Sequence, residues 1–491
     1  MLAALMNDAL LNRLHELRDL SGVINLATWD QETYMPRKAE GARAAQLGTL
    51  QGLYHERLVD PRVGEWLADA RPVTPDEVAM LRVFRRERDR AVKLPSRLVK
   101  AIAEAQSVAL GAWREARTQQ SFAIFAPKLE VLVNLRREQA DALGHDGERY
   151  DALLEGYEPG MRVARLTPVL KSLAEKLAPF IAAIEAKGPP RDPLAGKRFP
   201  VDEQWAFTME LLPAMGFDLE AGRQDRSIHP FSNGLAATDV RLTTRLFEDQ
   251  PFSALFGTLH EGGHGLYEQG FSAEHFRTPL AQSPSMGLHE SQSRLWENLV
   301  GRSRAFWTFF FPKLVARFPT QLAGLSLDDF LGSVNKVERS HTRVEADEVT
   351  YNLHIALRYE LELGLVRGSL SVADVEDAWN QKTKQLLGLE VKQPVEGVLQ
   401  DIHWAWGEFG YFPTDSLGNL YGATLYATAV KELPSLEADL EKGQLLGLRE
   451  WLRAKVHQHG ARLDAEDLIR QVTGHGLRDD DFLASLKARY S

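Results

Sequence analysis

The 491-residue sequence contains no cysteine. Disulfide cross-links and thiolate metal sites are therefore excluded, and the composition fits a protein of a reducing, cytoplasmic compartment. Long apolar runs are missing too. No stretch reaches the roughly 18 uninterrupted apolar residues that span a bilayer, so no membrane partner is expected. Residues 1–20, MLAALMNDALLNRLHELRDL, lack the basic start and small-residue cleavage site of a signal peptide and carry Asp8 and Glu16. Positive charge is in deficit: 58 Lys and Arg face 68 Asp and Glu, a formal net charge of −10. That balance gives no general pull towards nucleic acid or anionic lipid. Internal repeats, low-complexity tracts and sustained heptads are absent as well. The chain is long enough for a substantial core, and hydrophobic residues make up 44 % of it.

What is present reads almost entirely as helix. Apolar residues recur at helical spacing over 3–28 (Leu10, Leu14, Leu17, Leu20, Ile24), and again over 38–58 and 75–93. Pro95 and Ser96 open a helix to about Gln119, Pro127 opens another to about Leu143, and 165–187 and 201–215 follow. The Gly188-Pro189-Pro190-Arg191-Asp192-Pro193 run is the clearest linker. Residues 238–245, rich in Thr and Val, are the best strand candidate. Beyond residue 270 the pattern is helical to about 394, then aromatic- and glycine-rich over 395–425. The expected fold class is mainly α, with at most a small β-hairpin.

The chemistry concentrates in residues 251–270, PFSALFGTLHEGGHGLYEQG. Pro251 suits a first helical position and Gly270 a C′ position. Residues four apart share a helix face, so His260 and His264 can present two imidazoles to one metal ion. Glu261 lies outside that pair but within reach of a water on the metal, the H-E-x-x-H arrangement of zinc peptidases. The rival reading is a surface helix with two histidines. Gly262 and Gly263 argue against it, since each costs a helix about 1 kcal/mol relative to alanine and implies close approach to the backbone. A catalytic zinc takes three protein ligands. Glu290 is the candidate third, 26 residues beyond His264, with Glu268, Glu274 and Glu297 competing on spacing alone.

Separate pieces spread over most of the chain then resemble the carboxypeptidase Taq family of metallocarboxypeptidases. Asp239-Val240-Arg241-Leu242-Thr243 matches its D-x-R-x-T, and His260 to His264 its H-E-x-x-H. His289-Glu290-Ser291-Gln292 matches H-E-S-Q, and Arg343-Val344-Glu345-Ala346-Asp347 resembles R-x-x-A-D with Thr342 where isoleucine is usual. Gly397 to Trp404 matches G-x-x-Q-D-x-H-W, and Gly410-Tyr411-Phe412-Pro413-Thr414 is also similar, with Asp415 where a tyrosine is expected.

The resemblance implies a multi-helix, zincin-like metallopeptidase with a deep cleft. It places the metal ligands on His260, His264 and Glu290 and the general base on Glu261. One divalent ion per chain is implied: zinc, or cobalt or manganese, which the same donors accept. For the C-terminal carboxylate of a peptide substrate it points to Arg343, a choice over Arg241, Arg245 and Arg339 that the residues alone leave open. His403 and Tyr411 match positions near the substrate, and Arg241 is carried as a further substrate contact. A homodimer is implied as well. The chain is expected to act as one catalytic unit over 1–491, with helices of 1–190 roofing the cleft and 191–491 bearing the metal site. Rival functions are an endo-acting oligopeptidase on the same scaffold and a non-catalytic helical scaffold.

Overall fold

Apolar stripes in the first part of the chain pair into antiparallel helices. The computed structural model describes residues 8–491, so residues 3–7 of the first expected helix, and most of the start that bears on a signal peptide, lie outside the described residues. Helices α1 (Asp8–Thr33), α2 (Glu40–Val59), α3 (Pro61–Asp69) and α4 (Pro75–Lys93) form a lobe. Their starts are encoded locally: Asp60 caps α3 ahead of Pro61, and Thr74 and Glu77 close a reciprocal capping box on α4. Leu10, Leu14, Leu17, Val63, Leu67, Met80 and Phe84 make a hydrophobic cluster of their own, joined from the rest of the chain by Leu280.

Helices α5 (Ser96–Gln119), α6 (Phe122–Leu143), α7 (Arg149–Leu154) and α8 (Val163–Glu185) bury their apolar faces in the main core instead. The break between the two cores therefore falls near residue 94, well before the 188–193 connection. Helix α6 starts at Phe122, ahead of Pro127, because burial of Phe122 and Phe125 outweighs the backbone hydrogen bond the proline forfeits.

Helix α9 (Val201–Met215) leads into β1 (Gly222–Arg226), β2 (Ser232–Ala236) and β3 (Asp239–Thr244). The expected hairpin is β2 against β3, antiparallel, and β1 adds a third strand parallel to β3 on its other edge. Val240 and Leu242 point into the core, while Asp239 and Arg241 alternate onto the other face. There Arg241 is gripped by both oxygens of Asp239 (2.9 and 3.0 Å) and lies over the Trp29 ring. Beside it the Asn25 side-chain amide donates to the Gly234 carbonyl, that of Asn233 donates to the Asn25 carbonyl, and the Tyr34 hydroxyl donates to Asp225. The residues that end α1 thus anchor the N-terminal lobe on the sheet.

Helices α10 (Pro251–Gln269), α11 (Met286–Arg294), α12 (Arg304–Arg317), α13 (Leu327–Val334), α14 (Tyr351–Arg367), α15 (Val375–Leu387) and α16 (Pro413–Glu432) follow, and four shorter helices run on to Tyr490. Residues 335–350, expected as helix, are irregular apart from a single turn at Arg343–Glu345. Asp347 accepts from the backbone N–H groups of Glu338, Val349 and Thr350, a side-chain alternative to helical bonding.

Helix α11 is sandwiched between α10 and α16 at contacts only glycine allows. A Cβ at Gly263 would stand 2.5 Å from the Gln292 carbonyl oxygen, and one at Gly418 would stand 2.4 Å from Cγ of Glu290. At the start of α11, the buried Glu158 carboxyl accepts from the Gly287 N–H (3.0 Å) and from Ser285. Burial pushes Glu158 up to about 8 against those hydrogen bonds. A carboxyl with a raised folded pKa stabilises fully below its unfolded value, and that contribution is lost as pH rises through the folded one. Glu158→Gln is accordingly expected to unfold like the parent at pH 5 and to gain on the order of 1–3 kcal/mol over it at pH 8, read by denaturant titration.

Candidate metal centre

His260 and His264 sit one turn apart on α10 and face Glu290 of α11. One donor atom from each of the three lies within 4.8 Å of the others, a grouping of metal-ligating size. His264 Nε2 is 3.4 Å from Glu290 Oε2, and His260 Nε2 is 3.8 Å from it. Two ligands each about 2.1 Å from one ion at a tetrahedral angle lie roughly 3.4 Å apart, so these separations suit one divalent cation. Gly262 and Gly263 are explained by packing: Met215 and Leu212 abut the first and the α11 backbone the second. Gly270 ends the helix with negative φ, not in the left-handed C′ conformation expected; its missing side chain admits His457, whose Cβ would be 2.5 Å away.

Each of the three is held from behind. The Nδ1 of His260 meets Glu297 Oε2 at 2.8 Å, and that of His264 meets His289 Nδ1 at 2.6 Å. Arg294 donates to Glu290 Oε1 at 2.7 Å, leaving Oε2 as the oxygen turned to the histidines. Glu297 belongs to the π-helical turn Leu295–Val300 that continues α11 and shares a face with Glu290 and Arg294. Of the competing acids, Glu297 and Glu268 therefore belong to the surroundings of the site, and Glu274 lies in a separate turn at Ala273–His275.

The electrostatics favour a cation. Burial alone would lower His260, yet Glu290 and Glu297 outweigh it and hold the imidazole at about 9. Burial, helped by His289, lowers His264 to about 3, so that its ring is neutral near pH 7. Burial opposes ionisation of Glu297 as well, but Arg294 and His260 bring it down to about 2. Glu261, only 6 % exposed, is pushed up to about 7 by burial; His260 pulls against that and Glu290 adds to it. A carboxylate poised near neutrality is what general-base chemistry requires.

These groups line a cleft of about 1590 Å³. One wall comes from the N-terminal lobe through Arg18, Tyr54, Arg86 and Arg90, the other from Arg343, Tyr351, Tyr411 and Asp415. Arg343 is 8 % exposed; its Nε donates to Asp401 (3.0 Å), and Nη1 donates to Tyr351 (2.7 Å) and approaches Asp415 (3.4 Å). Its other terminal nitrogen, Nη2, makes no hydrogen bond among the described residues.

The structure separates the four substrate-binding candidates. Arg343 and Tyr411 line the cleft. His403 does not; it stacks behind Tyr411 with ring centroids 5.0 Å apart, and burial followed by Arg343 lowers it to about 4. Arg241 is not among the lining residues; Asp239 and Trp29 engage its guanidinium where α1 meets the sheet. Tyr351 escaped sequence reasoning, and Asp401 and Asp415, although they stand in or beside matched stretches, carried no assigned role. Aspartates and a tyrosine carry no spacing signal, and only the fold brings them to Arg343.

The helical scaffold and a two-histidine, one-carboxylate centre beside a buried glutamate define a metallopeptidase. The family model for the carboxypeptidase Taq (M32) metallopeptidases matches residues 9–490, and the chain belongs to this family. Among curated relatives, it is 44 % identical to thermostable carboxypeptidase 1 of Thermus thermophilus, over 98 % of each chain. It is 36 % identical to carboxypeptidase 1 of Bacillus subtilis, over 97 % of this chain and 96 % of that one. The crystal structure of the M32 carboxypeptidase from Deinococcus radiodurans superposes with a TM-score of 0.96 at 39 % identity, covering 98 % of both chains. A Pyrococcus furiosus carboxypeptidase superposes with a TM-score of 0.96 at 32 % identity, covering 99 % of this chain and 98 % of that one. The protein is a metallocarboxypeptidase, a reading these relatives support over the oligopeptidase and scaffold alternatives.

Proposed function

We propose that the protein removes C-terminal residues from peptides with a zinc ion held by His260, His264 and Glu290, and with Glu261 as general base. The convergence of those three donors within 4.8 Å carries the reading. When bound, the ion supplies a Lewis acid that acidifies water and polarises the scissile carbonyl. Glu261 takes a proton from the attacking water and returns it to the leaving amine. The free Nη2 of Arg343 receives the terminal carboxylate and keeps only the last peptide bond in range of Glu261. Tyr411, which lines the cleft, donates its hydroxyl to the developing oxyanion, and His403 holds the Tyr411 ring in place by stacking. The N-terminal lobe roofs the cleft and restricts entry to slim, unfolded peptides. Cobalt and manganese suit the same donors.

The protein acts as a homodimer in the cytoplasm. Dimerisation is supported by apolar side chains that α1 and α2 leave uncovered, Val23, Leu26 and Leu53 among them. The cytoplasmic reading is supported by the cysteine-free composition, and no described helix is long and apolar enough to cross a membrane.

A mass-spectrometric time course on one unfolded peptide, as free acid and as C-terminal amide, tests the reaction. Stepwise loss of single residues from the free acid alone, abolished by chelation and restored by zinc, is the expected result. Internal cleavage of both peptides, or turnover that survives chelation, would sink it.

A further inference from the structure

Behind His264 the hydrogen bonds continue one residue further than behind His260. Glu297 meets His260 directly, whereas Glu268, at the end of the same helix α10, reaches His264 only through His289. The Nε2 of His289 stands 2.8 Å from Glu268 Oε1, and its Nδ1 stands 2.6 Å from His264 Nδ1. An ionised carboxylate only accepts, so the His289 proton sits on Nε2. A neutral imidazole protonated there has an acceptor at Nδ1. The facing Nδ1 of His264 must then carry the hydrogen, since two lone pairs at 2.6 Å repel. Nitrogen Nε2 of His264 is left bare, and it is the one turned to Glu290 Oε2. With both rings neutral and the carboxylate ionised, this is the one arrangement of hydrogens that satisfies both contacts of His289.

We propose that Glu268 and His289 are positioning residues which lock His264 into its Nδ1–H tautomer and aim its Nε2 lone pair at the metal. The proposal rests on the reading of His264 as a ligand. It gives the histidine of His289-Glu290-Ser291-Gln292 a task next to that of the glutamate, and makes Glu268 an outer anchor instead of a competing ligand. The anchor is itself seated. A Cβ on Gly234 of β2 would stand 2.4 Å from Oε2 of Glu268, so glycine is needed there for the carboxylate to lie against the strand. The Gly234 carbonyl in turn accepts from Asn25 of α1 at 3.0 Å. Outer partners of metal-bound histidines are worth about 10–100-fold in metal affinity.

The test is zinc affinity, measured on full-length protein by competition with a chromophoric chelator, together with 15N spectra of the histidine rings. His289→Ala and Glu268→Leu are expected to weaken zinc binding about 10–100-fold. Glu268→Gln, whose amide oxygen still accepts, is expected to restore most of it. Gly234→Ala changes no group of the chain but displaces Glu268, and is expected to weaken zinc in the same direction. In zinc-loaded parent protein the ring hydrogen of His264 is expected on Nδ1 and that of His289 on Nε2. Equal losses for the Leu and Gln variants, unchanged affinity in all of them, or a hydrogen on His289 Nδ1 would overturn the relay. His264→Ala separates the two levels. If it leaves zinc affinity intact, the ligand reading has failed; if it abolishes binding while the other variants bind normally, only the relay has.

Discussion

Glu261→Gln is expected to keep its metal and lose about two to four decades of kcat, because on the proposed reading general-base assistance of that size disappears with the carboxylate while His260, His264 and Glu290 are untouched. The substitution is nearly isosteric, and Glu261 makes no side-chain hydrogen bond that an amide would break among the described residues. Stopped-assay kinetics beside metal analysis of the same sample check both halves, and normal turnover at full metal content would remove Glu261 from the mechanism. The pH profile carries an independent signature. Activity should rise with pH as Glu261 sheds its proton, and burial sets that step at about 7 before any cation is counted. A divalent ion beside the carboxylate favours its ionised form, so the acid limb of kcat/KM is expected below that value. An acid limb lying above pH 7 would contradict the assignment.

Arg343→Ala is expected to cost free-acid peptides about 10- to 150-fold in kcat/KM, the equivalent of 1.5–3 kcal/mol for a charge-assisted hydrogen bond. Any residual cleavage of amidated peptides should hardly change, so the preference for a free C-terminus narrows. Removing the guanidinium also leaves Asp401 with Arg358 as its remaining partner and Asp415 with the Tyr351 hydroxyl. Thermal unfolding must therefore be measured alongside. Arg343→Lys keeps the positive charge while losing the planar fork, and is expected to fall between parent and alanine. A preserved free-acid preference in a folded Arg343→Ala protein would place the carboxylate site elsewhere.

Much of this protein is legible in one dimension because its determinants are local. Caps and prolines mark where α3, α4, α5 and α9 begin, and they hold in three dimensions since a cap is satisfied within a few residues. The i,i+4 spacing of His260 and His264 brings their rings together on any regular helix. Even the pair of glycines between them could be read as a close approach, although not to what.

Longer-range features required the fold. Glu290 is singled out from Glu268 and Glu297 by α11 packing against Gly263 on one side and Gly418 on the other, contacts between residues more than 100 positions apart in the latter case. Arg241, which the resemblance offers as a substrate contact, lies over Trp29, because period-two alternation in β3 turns it onto that face. The early core boundary near residue 94 was hidden as well, since the helices on both sides carry the same amphipathic pattern and only contact decides which core receives them. Sequence alone thus determined most of the helices and the paired histidines of the motif, both set by neighbours within a turn or two. Tertiary structure decided which glutamate faces the histidines, which arginines line the cleft and which groups orient them. Those choices rest on side chains distant in sequence, whose approach no local preference encodes.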